Sequence, residues 1–513
     1  MAELSRTQYS VRNIIVGVGG QAVNTLLRFL NRTFFINYLA VEYLGLNSLF
    51  TEVLTVLSLA ELGIGNAIAY ALYKPLANHD EKQVAKLMNF YKKAYRYIGM
   101  AIGTVGIILI PFLEYIVDMP ENLDINVYVV YCLFLFNSCV SYFFSYKQTL
   151  LNANQKNYIV QSVNMVSGIV KLVSQMLVIA ITKNFYLYLV VQIICTIAAN
   201  VVIVLYVDKK YKFLKKLPRE KMDVETKKTL SINIKSLFII KIGSILVNST
   251  DNMIISVLNG IKSVGLLANY TIFTTVCERF LGQIFDSMTA SIGNLNAQND
   301  VKKSEDFFHV VNLLNYWLFG WTTIGIIVLA NPIIKLWIGE QYLLSQTIVV
   351  IIAINLYVKG MQNGIWTYKN TYGLFRYGKF ILQITAILNL ILSILLGKKI
   401  GLAGVLIATF ISRLCINVWY EPYVVYRYGF KKEKKWFSYN YTYMKYAVIL
   451  FISAAATWEI SLLLVNAFQI NHLILQCGIK LLCVIVIPNA INILFFHRKQ
   501  EYQYIKEKVI RKQ

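Results

Sequence analysis

Charged residues are scarce in this sequence. Only 15% of its 513 residues are Asp, Glu, Lys or Arg, whereas 57% are hydrophobic and the mean hydropathy is +0.55. A soluble globular protein carries about 25% charged residues, so the composition excludes that class. Apolar runs of roughly 18 to 25 residues follow one another, and each is long enough to cross a bilayer as a helix. The sequence therefore predicts an all-α integral membrane protein.

Motifs of soluble catalysis are also missing. The pattern GxxxxGK[ST] does not occur, so we expect no ATP hydrolysis. Four scattered histidines show neither metal-ligand spacing nor a catalytic triad. Gly17, Gly19 and Ala22 match a relaxed dinucleotide-binding pattern, but no strand precedes them and the stretch enters a predicted membrane helix. We expect no metal, no cofactor and no enzymatic activity.

Two further absences concern cysteine and targeting. The seven cysteines all lie in apolar segments and none has a CxxC spacing, which predicts small buried hydrophobic residues rather than disulfides or metal ligands. The N-terminal sequence has no short apolar region followed by a small-residue cleavage site. We therefore expect that no signal peptide is removed.

Fourteen apolar segments have the length of a transmembrane helix. In chain order they lie near Ile14 to Leu39, Leu46 to Tyr73, Ala94 to Ile116, Asn126 to Leu150, Tyr158 to Ile181, Phe185 to Val207, Ile232 to Leu258, Val264 to Asn294, Val310 to Ala330, Leu344 to Tyr368, Leu374 to Leu396, Leu402 to Tyr420, Tyr443 to Val465, and Leu473 to Phe496.

The formal net charge of +24 comes from basic residues in short runs between these segments. This distribution is typical of loops beside anionic lipid and argues against nucleic-acid binding. By our tally, about 34 Lys and Arg residues lie in the loops on the side of the N-terminus, against about five on the other side. Because cytoplasmic loops are enriched in Lys and Arg, both chain ends are predicted to be cytoplasmic.

The chain contains a weak internal repeat. FFINYLAVEYLGLNSLF (34–50) and IISVLNGIKSVGLLANY (254–270) have the same apolar spacing and place Gly45 over Gly265. Because six predicted helices separate the copies, the repeat is parallel. We predict about fourteen transmembrane helices in two six-helix lobes plus two C-terminal helices. The expected divisions are an N-lobe at 1–207, a basic cytoplasmic linker at 208–230, a C-lobe at 231–420, and helices thirteen and fourteen with a basic tail at 421–513.

Ionisable side chains at bilayer depth usually face a water-filled cavity, a partner or a substrate. The basic side chains outnumber the acidic ones, which favours binding of an anion such as phosphate or pyrophosphate. The basic candidates are Arg28, Arg32, Lys171, Lys241, Arg279, Lys359 and Arg413. The acidic ones are candidates for counter-ions or for a site of a coupling ion, and they are Glu61, Asp251, Glu278 and Asp286.

A purely structural role is the alternative for each residue. Arg32 can reach the membrane surface from the end of helix one, and Glu278 beside Arg279 can belong to an ion pair that packs helices. Lys480, on helix fourteen, stands apart from the predicted cavity.

The stretch YLGLNSLFTEVLTVLSLAELGIGNAIAYALYKPLA (43–77) resembles bacterial polysaccharide-biosynthesis flippases of the oligosaccharide, O-antigen type. These belong to the multidrug/oligosaccharidyl-lipid/polysaccharide (MOP) exporter superfamily, whose fold is MATE-like. The resemblance implies alternating access that moves an undecaprenyl-pyrophosphate-linked oligosaccharide across the cytoplasmic membrane of a bacterium. It also implies a cationic lumen onto which Arg28 and Arg279 map, and a groove for the lipid tail at helices thirteen and fourteen.

Several functions stay open at this stage. A lipid II flippase shares the fold and the charge logic, whereas a multidrug cation antiporter should present acids without so many bases. A membrane glycan polymerase commonly needs a long outer loop, and the predicted outer loops are short. The expected partners are the lipid-linked oligosaccharide and membrane lipids, with a proton or sodium ion and the polymerase and glycosyltransferases of the same pathway as further candidates.

Overall fold

The computed structural model describes most of the chain. The described residues are 23, 25–57, 68, 71–72, 75–76, 78–117, 125–154, 156–216, 250–297, 300–374, 377, 380–470 and 472–510. Within these ranges the regular secondary structure is helical. The chain divides into two compact units, Met1–Gly265 and Leu266–Gln513.

Within the described residues, the first unit contains seven helices of nine residues or more. They are α1 (residues 25–38), α2 (Val41–Leu57), α3 (Glu81–Leu109), α4 (Val127–Ala153), α5 (Asn157–Thr182), α6 (Phe185–Lys210) and α7 (Asp251–Asn259). Its core includes Phe50 of α2, whose ring meets the Tyr131 ring of α4 edge to face at a centroid distance of 5.4 Å.

The second unit contains the rest, except that its first helix begins within the first unit. The helices are α8 (Ile261–Ala297), α9 (Val301–Trp337), α10 (Gln346–Thr371), α11 (Ile381–Cys415), α12 (Asn417–Val424), α13 (Trp436–Ala467), α14 (Leu473–Phe496) and α15 (Gln500–Ile510). Phe308 of α9 centres an aromatic core with Tyr368, Tyr426 and Phe430.

Side-chain caps fix where several of these helices begin. Asn126 accepts a hydrogen bond from the backbone N–H of Val129 at 3.2 Å and starts α4, and Asn184 accepts from Leu187 at 3.1 Å and starts α6. Asp80 and Asp300 do the same for α3 and α9. Each cap satisfies a backbone donor that has no partner within its helix.

The helix α11 is a hairpin rather than one continuous rod. Ile400 and Gly401 leave the helical conformation, and Gly401 has a φ of 60°, which glycine adopts readily. Across the turn, Thr385 donates a hydrogen bond to Asn417 at 2.8 Å. A straight helix would hold these two residues roughly 48 Å apart. The chain therefore reverses at Ile400–Gly401, and the two arms are the predicted helices eleven and twelve.

The surface of the described helices is apolar. Ile181, Phe451 and Leu494 are 79%, 75% and 71% exposed, a pattern expected where helices face lipid. Nine helices within the described ranges are long and apolar enough to cross a membrane, and the α11 hairpin lies in one of them. Together with the described helical parts of the other predicted segments, these nine helices confirm the all-α membrane fold. Two cysteines, Cys132 and Cys415, are exposed, so the prediction that every cysteine is buried was wrong.

Several ion pairs join the helices within each unit. Lys369 of α10 contacts Glu421 of α12 at 2.6 Å, and their side chains are 13% and 3% exposed. In the first unit Lys147 of α4 pairs with Asp208 of α6. All four side chains are at most 18% exposed, so each pair gives its buried charges a partner.

Candidate functional site

The first unit brings two of the predicted cations together. Arg28 of α1 is exposed, and Lys171 of α5 is half-buried within electrostatic range of it. Arg32 lies one turn after Arg28 on the same helix, half-buried near Tyr188 of α6. Like charges held together favour an anion between or beside them. The α1–α5 face therefore has the charge of an anion-binding surface.

A buried polar framework holds this face in place. The Asn31 amide donates a hydrogen bond to the Tyr188 hydroxyl at 3.2 Å, and the Gln175 amide donates to the Tyr188 carbonyl at 3.2 Å. Phe35 packs edge to face on the Tyr188 ring at 5.3 Å. Because α1, α5 and α6 all meet at Tyr188, the positions of Arg28 and Lys171 are coupled to the packing of α6.

One acidic residue of the first unit was not identified from the sequence. Glu52 of α2 accepts a hydrogen bond from the Asn252 amide of α7 at 2.7 Å. Its other carboxylate oxygen is buried and has no hydrogen-bond partner among the described residues. The predicted coupling-ion candidate Asp251 lies close enough to act on Glu52 electrostatically. Glu52 sits in an apolar segment, which was the signal that could have identified it.

The second unit pairs a predicted cation with a predicted acid. The Lys359 ammonium of α10 contacts the Glu278 carboxylate of α8 at 2.7 Å. The two side chains are 34% and 30% exposed, so the pair is accessible. Arg279, the next residue of α8, is exposed, and Arg413 of α11 is half-buried. Three predicted basic residues therefore belong to this unit.

The remaining predictions have different outcomes. Lys241 and Glu61 lie outside the described residues, as does the side chain of Asp286, although its backbone belongs to α8. Lys480 of α14 lies over the Trp458 ring of α13 at 5.9 Å. This cation–π contact gives Lys480 a structural partner. The predicted lobe and linker boundaries stay predictions, since residues 217–249 are not described.

The arrangement has a clear chemical bias. In each unit, basic groups on membrane helices remain at least partly accessible, and Arg28 and Arg279 keep guanidinium groups that can bind two oxygens of one phosphate. The acidic residues of the two units, Glu52 with Asp251 and Glu278, can neutralise cations or carry a proton or a metal ion.

Known structures with the same fold come from membrane transport proteins. The lipid II flippase MurJ in an inward closed conformation is similar over 94% of this chain and 99% of its own, with 15% identity and a TM-score of 0.69. An inward-facing multidrug resistance MATE family transporter of the MOP superfamily is similar over 81% and 98%, with 13% identity and a TM-score of 0.56. The Vibrio cholerae MATE transporter VcmN in its bent form is similar over 84% and 100%, with 15% identity and a TM-score of 0.52.

The sequence itself places the chain in a family. No curated protein sequence matches it. The family model described as polysaccharide biosynthesis protein matches residues 10–289, which is more than half of the chain. This stretch contains the residues on which the resemblance of the sequence rested, and the fold agrees with it. The chain therefore belongs to the polysaccharide biosynthesis protein family and has the fold of the flippases and exporters of the MOP superfamily.

Proposed function

We propose that this protein is a flippase that moves undecaprenyl-pyrophosphate-linked oligosaccharide repeat units across the cytoplasmic membrane by alternating access. The translocated repeat unit would serve the synthesis of a surface polysaccharide such as a capsule, an O-antigen of lipopolysaccharide or an exopolysaccharide. The observation that carries the proposal is the family match over residues 10–289. The MOP fold supports the proposal, because that fold occurs in the lipid II flippase MurJ.

The accessible cations suit this substrate. Each unit has its own candidates to bind the pyrophosphate, Arg28 with Lys171 in the first and Arg279 with Lys359 in the second. Arg32, Lys241 and Arg413 would extend the basic surface. The glycan would cross in a hydrated cavity while the polyprenyl tail stays in lipid, because sugar hydroxyls in hydrocarbon would lose their hydrogen bonds.

The proposal includes a location and partners. The protein would lie in the inner or plasma membrane of a bacterium with both ends cytoplasmic, as the distribution of Lys and Arg indicates. The polymerase and glycosyltransferases of the pathway would act on either side of it. Glu61, Asp251, Glu278 and Asp286, with Glu52 added, are candidates for counter-ions or for a proton or sodium site.

A lipid II flippase is the second candidate. Its support is the fold similarity to MurJ, which extends over 94% of this chain. Both substrates are carried on a pyrophosphate, so the basic residues serve either one. A multidrug cation exporter fits less well, because the accessible charge on the site helices is mainly positive.

Reconstitution in liposomes separates these functions. We would measure the movement of fluorescent undecaprenyl-pyrophosphate oligosaccharide and of fluorescent lipid II for wild type and for Arg28→Ala with Arg279→Ala. The control is Arg498→Ala, an exposed arginine after α14. We expect oligosaccharide movement by wild type and the control, and its loss in the double variant. Movement of lipid II alone would support the second candidate, and export of organic cations without movement of either lipid would refute both.

A further inference from the structure

The ion pair between Lys359 and Glu278 differs from the other pair on the same helix. Lys369, ten residues further along α10, holds a Glu421 carboxylate that is 3% exposed. Glu278 is 30% exposed and Lys359 is 34% exposed, although both lie within helices of the second unit. A partly exposed ion pair contributes little to stability. Stability alone therefore gives little reason for the Lys359–Glu278 pair.

The surroundings of this pair leave room for a ligand. Gly282 follows Glu278 by one turn of α8, and a Cβ built at Gly282 would meet no atom within 4 Å. On α10, Gln362 follows Lys359 by one turn, is 3% exposed, and has both amide atoms without a hydrogen-bond partner among the described residues. Buried amides are normally satisfied. The Gln362 amide is closed off from the surface in this conformation, so the open space at Gly282 is the feature that leaves room for a ligand beside the ion pair.

We propose that Glu278 occupies the anion site of Lys359 when the protein is empty, and that a phosphate group of the substrate displaces it. The inference rests on the proposed function in that it takes a pyrophosphate-bearing lipid as the substrate. The exchange replaces one anion on the ammonium by another, so Lys359 is never left without a partner. Glu278 can accept water when released, because it is already partly exposed.

The exchange has a consequence for release. A carboxylate that competes with the substrate weakens binding in the ground state, and it returns to Lys359 when the substrate leaves. Removing the competitor should therefore tighten binding while slowing turnover. Removing Glu278 from a purely structural pair would also tighten anion binding, because a nearby negative charge is lost, but that gain would persist without Lys359. Displacement predicts that the gain in affinity disappears when Lys359 is replaced, and this difference distinguishes the two roles.

The test measures binding of inorganic pyrophosphate and of farnesyl pyrophosphate to the full-length protein in detergent by titration calorimetry. We expect Glu278→Gln to bind both about fivefold more tightly, which corresponds to the loss of about 1 kcal/mol of competition. Lys359→Gln should bind both about tenfold more weakly. Glu278→Gln should have no further effect in the Lys359→Gln background, because the competitor then has no site to occupy. Glu278→Asp keeps the charge with a shorter reach and should give an intermediate affinity.

The control is Glu340→Gln, which removes an exposed carboxylate paired with Lys335 in the same unit. Its pyrophosphate affinity should equal that of wild type. Equal affinities for Glu278→Gln, Glu278→Asp and wild type would overturn the inference, and so would failure of wild type to bind either probe. If affinity for the farnesyl probe alone rises, the effect belongs to the lipid rather than to the phosphate and the inference is also wrong. Wild-type movement of the oligosaccharide lipid, measured in parallel, reports on the proposed function separately.

Discussion

Gly45 and Gly265 make the same contact from opposite sides. A Cβ on Gly45 of α2 would overlap the carbonyl oxygen of Ile261, and a Cβ on Gly265 of α8 would overlap the carbonyl oxygen of Val41. The sequence repeat places Gly45 over Gly265 and, with the same offset, Val41 over Ile261. The two copies of the repeat therefore cross through equivalent residues, and only glycine permits the backbones to approach so closely.

We expect Gly45→Ala and Gly265→Ala each to destabilise the protein by about 1–3 kcal/mol or more, because the added methyl group meets backbone rather than a mobile side chain. Thermal unfolding in detergent measures the effect as a lower melting temperature. Gly478→Ala is the control, since a Cβ at this position in α14 meets nothing within 4 Å. Equal melting temperatures for all three variants would contradict the prediction that the close approach of α2 and α8 at Gly45 and Gly265 stabilises the protein.

The buried pair between Lys369 and Glu421 should be sensitive to loss of one partner. We expect Glu421→Gln to cost about 3–5 kcal/mol, because the Lys369 ammonium is then buried without a counter-charge. Glu433→Gln, which breaks the exposed pair with Arg427, should cost less than about 1 kcal/mol. Replacing both partners, Lys369→Met with Glu421→Leu, should recover most of the loss. Similar melting temperatures for the two glutamine variants would contradict this order.

Glu52 offers a test of ion coupling. We expect Glu52→Gln to fold normally, because the amide carbonyl still accepts the hydrogen bond from Asn252. The amide cannot take up or release a proton, so transport driven by a pH gradient should fall to the level measured without a gradient. The measurement is flipping in liposomes with and without an imposed gradient. A variant that still responds to the gradient like wild type would exclude Glu52 as the proton carrier.

The predicted orientation can be tested on the loops that flank α6. A reporter that fluoresces only in the cytoplasm should be active when fused after Lys209, and alkaline phosphatase, active only outside, should be active when fused after Lys183. The reason is the concentration of Lys and Arg after α6 and their near absence before it. If the fusions after Lys183 and after Lys209 both report the same side of the membrane, α6 does not cross it.

Within the described residues, the sequence predicted the kind of helices and their approximate positions but not their ends. The helix α3 begins at Glu81 instead of near Ala94, and α9 begins at Val301 instead of near Val310. Both helices run past the apolar core of the membrane into polar residues, where caps at Asp80 and Asp300 stop them. Hydropathy records the depth of the bilayer and carries no signal for a helix that continues into water.

The candidate site was predictable as a set of residue types rather than as contacts. Lys359 and Glu278 were both identified, but their pairing joins residues that are 81 positions apart, and only the packing of α8 on α10 brings them together. Glu52 lies in the same predicted apolar segment as Glu61, so the search for ionisable residues in such segments should have identified it, but it did not. Its hydrogen bond to Asn252 spans 200 positions and has no sequence signature.

The hairpin at Ile400–Gly401 constrains how the protein is made. Only two residues lie between its arms, so the arms stay neighbours at this end of the hairpin. Between them, the Asn389 amide donates a hydrogen bond to the Thr409 hydroxyl at 2.9 Å. Each arm therefore supplies a partner for a polar group of the other, which would be left unsatisfied in hydrocarbon if one arm were inserted alone. We expect the two arms to enter the bilayer together as a helical hairpin.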